Sequence, residues 1–180
     1  MPFERIYWVC PGKLLASAYP GASDGSLAIG NLQDLLFNGI TLVLNLMEET
    51  EGEKKGPAFV EYGPTLEKLA ATAGRSIRQV RFPIPDASVP TRPQMRTILD
   101  AIRAEIDANG IVHVHCWGGK GRTGTVVGCV LLEVRMAETN TVMQKLRTLV
   151  GDSTSFGKTP ETDEQIAFVM KWGQSITGAK

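Results

Sequence analysis

Apolar positions along this chain of 180 residues alternate between short continuous runs and longer runs spaced three and four apart. Residues 6–9 and 14–18 are short apolar runs on either side of Pro11-Gly12 and read as two strands joined by a turn. Between 27 and 37, Ala28, Leu32, Leu35 and Leu36 share one helical face, and Asn38-Gly39 supplies the stop. Residues 41–46 form the kind of apolar run found in a buried strand. A helix is expected over 64–73, with Leu66, Leu69, Ala70 and Ala73 inward and Gly74 at its end, and 77–82 reads as a strand.

Thr91-Arg92-Pro93-Gln94 has capping-box spacing and opens a helix whose buried face is Met95, Ile98, Leu99, Ile102 and Ile106, ended by Asn109-Gly110. Residues 111–115 read as a strand. Residues 122–136 have a helical pattern that is apolar nearly all round, which predicts a central buried helix. Gly124 and Gly128 would let another element pack closely on it. Val142, Leu146, Leu149 and Val150 mark a further helix stopped by Gly151. Thr159-Pro160 is expected to open a last one, with Ile166, Val169, Met170 and Ile176 inward. This alternation predicts an α/β fold, a central twisted and mostly parallel sheet flanked by helices, as a single domain over 1–180.

Composition narrows the classes. An apolar share of 43% and a charged share of 21% are ordinary globular values and exclude long disorder, collagen and coiled coil. Nineteen Lys+Arg against nineteen Asp+Glu argue against binding nucleic acid or membrane through a global basic field. Cys10, Cys116 and Cys129 lack the spacing of a disulfide framework or zinc cluster, and His113 and His115 are too few for a His-rich metal centre. No metal or cofactor is therefore expected. No apolar stretch reaches membrane-spanning length, and Glu4 and Arg5 break up the N-terminal segment, so no signal peptide is read. A cytoplasmic monomer is the expectation. The one charge-dense stretch, Glu48-Glu49-Thr50-Glu51-Gly52-Glu53-Lys54-Lys55-Gly56, reads as a solvated loop.

The chemistry converges on His115-Cys116-Trp117-Gly118-Gly119-Lys120-Gly121-Arg122-Thr123-Gly124. A buried strand ends at His115, a loop with three glycines follows, and a helix begins at Arg122. Glycines let successive backbone N–H groups turn inward, and the helix N-terminus adds unsatisfied donors and partial positive charge. Together they make an anion cradle of phosphate size. Arg122 can add a bidentate fork to a phosphoryl group. A cation at a helix N-terminus is unfavourable unless an anion lies between the two. The same positive environment favours a thiolate at Cys116, placed for nucleophilic attack on phosphorus.

This stretch resembles the active-site loop of the cysteine-dependent protein tyrosine phosphatase superfamily: His115-Cys116, five residues, then Arg122-Thr123. Gly119-Lys120-Gly121-Arg122-Thr123-Gly124 is similar to the loop of phosphatase-and-tensin-homologue lipid phosphatases and of many small atypical dual-specificity enzymes. Phe82-Pro83-Ile84-Pro85-Asp86, with Pro90 beyond, resembles the family's general-acid loop. Thr159-Pro160-Glu161-Thr162-Asp163-Glu164-Gln165 resembles the downstream segment whose glutamine positions water. Trp117 departs from the lipid-phosphatase pattern, which has lysine there.

The resemblance implies a phosphate monoester hydrolase of the dual-specificity type, acting through a phosphocysteine intermediate on a phosphorylated protein or small phosphate ester. Cys116 would be the nucleophile, Arg122 the phosphate-binding and transition-state cation, and Asp86 the general acid, with Glu48, Glu49 and Asp24 as the fallback acids. Thr123 would hydrogen-bond the Cys116 sulfur or be an ordinary first-turn threonine. His115 would buttress the loop, and His113 reads as a satisfied core histidine. Gln165 either positions water or faces solvent. Trp117, Gly118, Gly119, Lys120 and Gly121 would line the phosphate loop. Lys120 suits an inositol phosphate or phosphoinositide, the alternative substrate class, unless it only adds to the solvent-facing field. Cys129 reads as core and Cys10 takes no role. Two further alternatives are a phospho-binding pseudo-enzyme and a rhodanese-like sulfur transferase or arsenate reductase; no second cysteine is placed to resolve a disulfide.

Overall fold

A computed structural model describes residues 5–22, 25–52, 60–151 and 157–177. Among these residues five strands form one sheet: β1 (Tyr7–Cys10), β2 (Leu14–Ser17), β3 (Leu42–Asn45), β4 (Arg78–Arg81) and β5 (Val112–His115). Their order is β1-β2-β5-β3-β4. Only β1 is antiparallel to its neighbour; β2, β5, β3 and β4 run parallel. The central strands β2, β3 and β5 are buried along their whole length, as the continuous apolar runs predict. Fold class, sheet character and the alternation of elements all follow the sequence reading.

Among the described residues six helices cover the sheet: α1 (Gly25–Phe37), α2 (Gly63–Thr72), α3 (Arg92–Asp107), α4 (Gly121–Glu133), α5 (Val142–Val150) and α6 (Asp163–Thr177). Thr91 caps α3 by accepting the Gln94 N–H at 3.2 Å. Helix α4 is the central buried one, with every residue from Gly121 to Leu132 buried. Gly124 and Gly128 do admit other elements: a Cβ at Gly124 would lie 2.6 Å from Thr159 Cγ2, and one at Gly128 would lie 2.9 Å from Val169 Cγ1. No helix among the described residues is long and apolar enough to cross a membrane.

Three local expectations are corrected. Helix α4 stops at Glu133 and not Met136, because Arg135 takes a positive φ of 57° and turns the chain away. The last helix opens at Asp163, after Thr159-Pro160 rather than at it. Both of those residues are buried ahead of the helix, and the Thr162 hydroxyl accepts the Gln165 N–H at 3.2 Å to cap it. Ala73, expected inward, is the exposed residue following α2.

Parallel order decides where the loops go. The loops after β2, β3, β4 and β5 all leave the same edge of the sheet, which is where open α/β sheets bind ligands. Backbone hydrogen bonds stitch them together: Tyr19 N–H to Trp117 O at 2.9 Å, Leu46 N–H to His115 O at 2.9 Å and Ile84 N–H to Leu46 O at 3.1 Å.

Candidate active site

Strand β5 delivers His115 and then Cys116 to that edge, and the loop 116–120 wraps into the first turn of α4. Gly119 is required there on two counts. Its φ is +69°, and a Cβ would lie 2.7 Å from the Ala18 nitrogen, inside the backbone of the neighbouring loop. Cys116 sits at the base, 2% exposed. Thr123, one turn into α4, donates its hydroxyl to the Cys116 sulfur at 3.1 Å, so the first-turn threonine does reach the thiol.

His115 braces the loop from below. Its Nδ1 meets the Cys116 carbonyl at 3.1 Å and its Nε2 meets the Tyr62 hydroxyl at 2.5 Å. The carbonyl only accepts, so Nδ1 carries the proton and Nε2 accepts from Tyr62. Burial pushes the His115 imidazole down to about 3, with the charges of Arg81 and Arg122 adding to the shift, so the ring stays neutral. Burial likewise raises the Tyr62 hydroxyl well above its usual value and keeps it a donor. His113 lies in the core: its ring stacks on His115 with centroids 5.4 Å apart, and its Nε2 meets Ser17 Oγ at 2.7 Å. Ser17 spends its own proton on Ala18 O at 2.6 Å, so His113 is the donor to Ser17.

Arg122 is 2% exposed and fully engaged on its outer edge. Its Nη1 and Nη2 each reach a Glu51 carboxylate oxygen at 2.6 Å, a bidentate pair. Nη1 also donates to Ile84 O at 3.0 Å and Nη2 to Asp86 Oδ1 at 3.0 Å. The remaining Nε–H has no acceptor among the described residues. Burial works against the charge. The hydrogen bond to Glu51 and the nearby carboxylates of Glu51 and Asp86 outweigh it and hold the guanidinium protonated more firmly than usual.

Asp86 therefore does come to the site, from the loop after β4, with its side chain 48% exposed at the mouth. Glu48 and Glu49 are exposed, and no contact joins them to Arg122; Asp24 lies outside the described residues. Glu51 is the residue that sequence reasoning missed. The charge-dense stretch is not uniformly solvated, because the Glu51 side chain is only 9% exposed against Arg122. Arg81 fixes the start of that loop through Met47 O at 3.1 Å, and the Glu48 N–H donates to Glu51 Oε2 at 3.2 Å. The signal that could have found it is positional: β3 neighbours β5, so acids just after β3 must lie beside the phosphate loop. Residues 53–56 of that stretch lie outside the described residues.

The two carboxylates on Arg122 differ in worth. Glu51→Ala leaves a buried guanidinium short of its main partner and should lower stability by about 3 kcal/mol, the lower end of the cost of breaking a buried pair because Asp86 and Ile84 O remain. Asp86→Ala removes a half-exposed partner and should cost less than about 1 kcal/mol. Urea denaturation of both variants checks the ranking; equal losses would contradict it.

Trp117 is 37% exposed on the rim next to the cradle. Lys120 is half-buried at the N-cap of α4 and its Nζ runs beside Gly157, 3.5 Å from where a Cβ there would sit. No carboxylate among the described residues pairs with it. Gln165 does not face solvent: it is fully buried over Gly121. Cys129 is core, and burial raises its thiol well above the usual range.

A mostly parallel α/β sheet with a thiol, a glycine loop and an arginine at the N-terminus of the helix that follows the central strand defines a phosphatase-like architecture. Residues 4–163 match the PTP-SAK family, described as Swiss Army Knife protein, DSP-PTPase phosphatase domain, and the chain belongs to that family. The chain is similar to Tk-PTP in its active form, at 22% identity over 94% of this chain and 97% of that one, TM-score 0.69. It is similar to PTPMT1 in complex with PI(5)P, at 16% identity over 97% and 98%, TM-score 0.72. It is similar to kinase associated phosphatase carrying serine for its catalytic-site cysteine, at 19% identity over 100% and 99%, TM-score 0.72. At these identities the likeness is one of fold.

Proposed function

We propose that this chain is a metal-independent phosphate monoester hydrolase of the dual-specificity type, acting on phosphorylated proteins with phosphotyrosine as the favoured group. The observation that carries the reading is the shared guanidinium: Arg122, in the turn that holds Thr123 against the Cys116 sulfur, also touches Asp86 at 3.0 Å. The same contact speaks against a phospho-binding pseudo-enzyme, since a candidate acid touches the cation in the helix turn that also carries Thr123 to the Cys116 sulfur.

In the first step the phosphoryl group enters the loop 118–121, held by backbone N–H groups and the Arg122 Nε–H. Asp86 leaves Arg122 for the leaving oxygen. The Cys116 thiolate attacks phosphorus, the P–O bond breaks, and Asp86 gives its proton to the departing alkoxide or phenoxide. In the second, water attacks phosphocysteine, Asp86 takes the water proton, and the P–S bond breaks. The Thr123 hydroxyl stabilises the thiolate as it leaves. Glu51 keeps Arg122 oriented throughout, and His115 and Tyr62 hold the Cys116 carbonyl.

The buried position of Cys116 beneath a rim bearing Trp117 supports a long aryl side chain over a short alkyl one. Lys120 favours a second reading, a soluble inositol phosphate or phosphoinositide, because it is a cation at the loop with no carboxylate among the described residues beside it. Rates on a phosphotyrosine peptide, a phosphoserine peptide and a soluble inositol phosphate separate the two. The expected order is the phosphotyrosine peptide first, with Lys120→Ala changing that rate by less than about 3-fold. A preference for the inositol phosphate that Lys120→Ala removes would replace the first reading with the second.

A further inference from the structure

Gln165 is a buried amide whose hydrogen bonds are all made to backbone. Its Oε1 accepts the N–H groups of Glu161 and Thr162, both at 3.1 Å, and its Nε2 donates to Ser88 O at 3.0 Å. The amide cannot be turned over, because that would set its NH2 against two donors. Both lone pairs of the carbonyl oxygen are therefore taken, and none is left to accept a proton from an attacking water. The amide rests on the first turn of α4: a Cβ at Gly121 would lie 2.8 Å from Nε2 and 2.9 Å from Oε1. Glycine at 121 is what admits it.

The other end of this contact is the loop that carries Asp86. Ahead of Asp86 the loop is anchored by Gln94 Nε2 on Pro83 O at 2.8 Å, by the Ile84 N–H on Leu46 O at 3.1 Å and by Arg122 on Ile84 O at 3.0 Å. Behind Asp86 the chain passes through Ala87 at a φ of +59° and closes a turn, Ser88 N–H to Pro85 O at 3.1 Å. The anchors there are Gln165 on Ser88 O and a long contact of 3.5 Å from the Thr162 hydroxyl to Ala87 O. Gln165 is thus the strut between the rear of the acid loop and the phosphate loop.

We propose that Gln165 is a positioning residue for the protonation step: it sets Asp86 at the height of the leaving oxygen by fixing Ser88 to the first turn of α4, and it does not orient the attacking water. The inference rests on Asp86 being the general acid.

The two roles separate by leaving group. A good leaving group, such as a nitrophenol, needs no proton, whereas an alkoxide does. In Gln165→Ala and Gln165→Glu, kcat/KM on alkyl phosphates should fall about 10–100-fold while the nitrophenyl ester changes less than about 3-fold, steepening the dependence on leaving-group basicity. Gln165→Glu keeps an acceptor for Glu161 and Thr162 and sets a carboxylate oxygen against Ser88 O where the amide donated, so it breaks the same contact and serves if the alanine variant folds poorly. A uniform loss across the series with phosphocysteine accumulating would overturn the proposal in favour of water positioning, and no loss would overturn it outright. Hydrogen exchange gives a readout that survives failure of the phosphatase reading. Faster exchange at the Ser88 amide in Gln165→Glu, with α4 unchanged, supports the strut even if the wild type turns over no phosphate ester. Unchanged exchange removes it.

Discussion

Cys116→Ser should lower turnover of an aryl phosphate by roughly 10⁵-fold, the scale seen when a covalent nucleophile is deleted. The substitution changes one atom and leaves the cradle intact. Serine at this site can still accept the Thr123 hydrogen bond, and Arg122 keeps Glu51, Ile84 O and Asp86. Stability and phosphate affinity should therefore stay near wild type while chemistry is lost. That pattern distinguishes a missing nucleophile from a damaged fold, because a cavity or an unpaired charge would show in the denaturation midpoint. Steady-state turnover with a nitrophenyl ester, together with binding of inorganic phosphate, measures both. Turnover near the wild-type rate would mean that the thiol is a buried core group and that water attacks phosphorus directly.

Asp86→Asn should reduce turnover of phosphotyrosine peptides about 10²–10⁴-fold, the usual contribution of a positioned general acid, with a smaller loss on nitrophenyl esters. Asparagine keeps the shape and can still accept from Arg122 Nη2, so the change removes the proton and little else. The limb of the pH–rate profile that reports a protonated acid should flatten. A loss that is the same for good and poor leaving groups would assign the contact between Asp86 and Arg122 to charge balance and place the acid elsewhere, with Glu51 the nearest remaining carboxylate.

The alternation of short apolar runs with three-four periodic ones is enough to give every strand and helix here, because buried parallel strands and amphipathic helices leave distinct rhythms. The phosphate loop is legible for a related reason. Its parts are contiguous, so the spacing of Cys116, the glycines and Arg122 is itself the geometry. Glu51 and Tyr62 were not legible. Each acts across the sheet, Glu51 on Arg122 and Tyr62 on His115, and their proximity depends on strand order, which local periodicity does not carry. Gln165 was found by resemblance, but its surroundings were not: whether a helix glutamine faces water or lies on a glycine one helix away is decided by packing of α6 on α4. The start of α6 was misplaced because Thr159-Pro160 has the chemistry of a helix opening yet is used to fill the space beside Gly124. The overall neutrality of the chain concealed the opposite local fact, a buried guanidinium held between two carboxylates at the mouth of an anion cradle.

The central claim is that the phosphoryl group passes through the Cys116 sulfur. It is tested most directly by mixing the enzyme with a nitrophenyl phosphate ester, quenching in acid during turnover and locating the phosphoryl group on the digested chain by mass spectrometry. The account predicts one phosphoryl group on the peptide containing Cys116, carried by the sulfur and absent from Cys116→Ser. Turnover with an unmodified Cys116 peptide, or a phosphoryl group on a different residue, would contradict it.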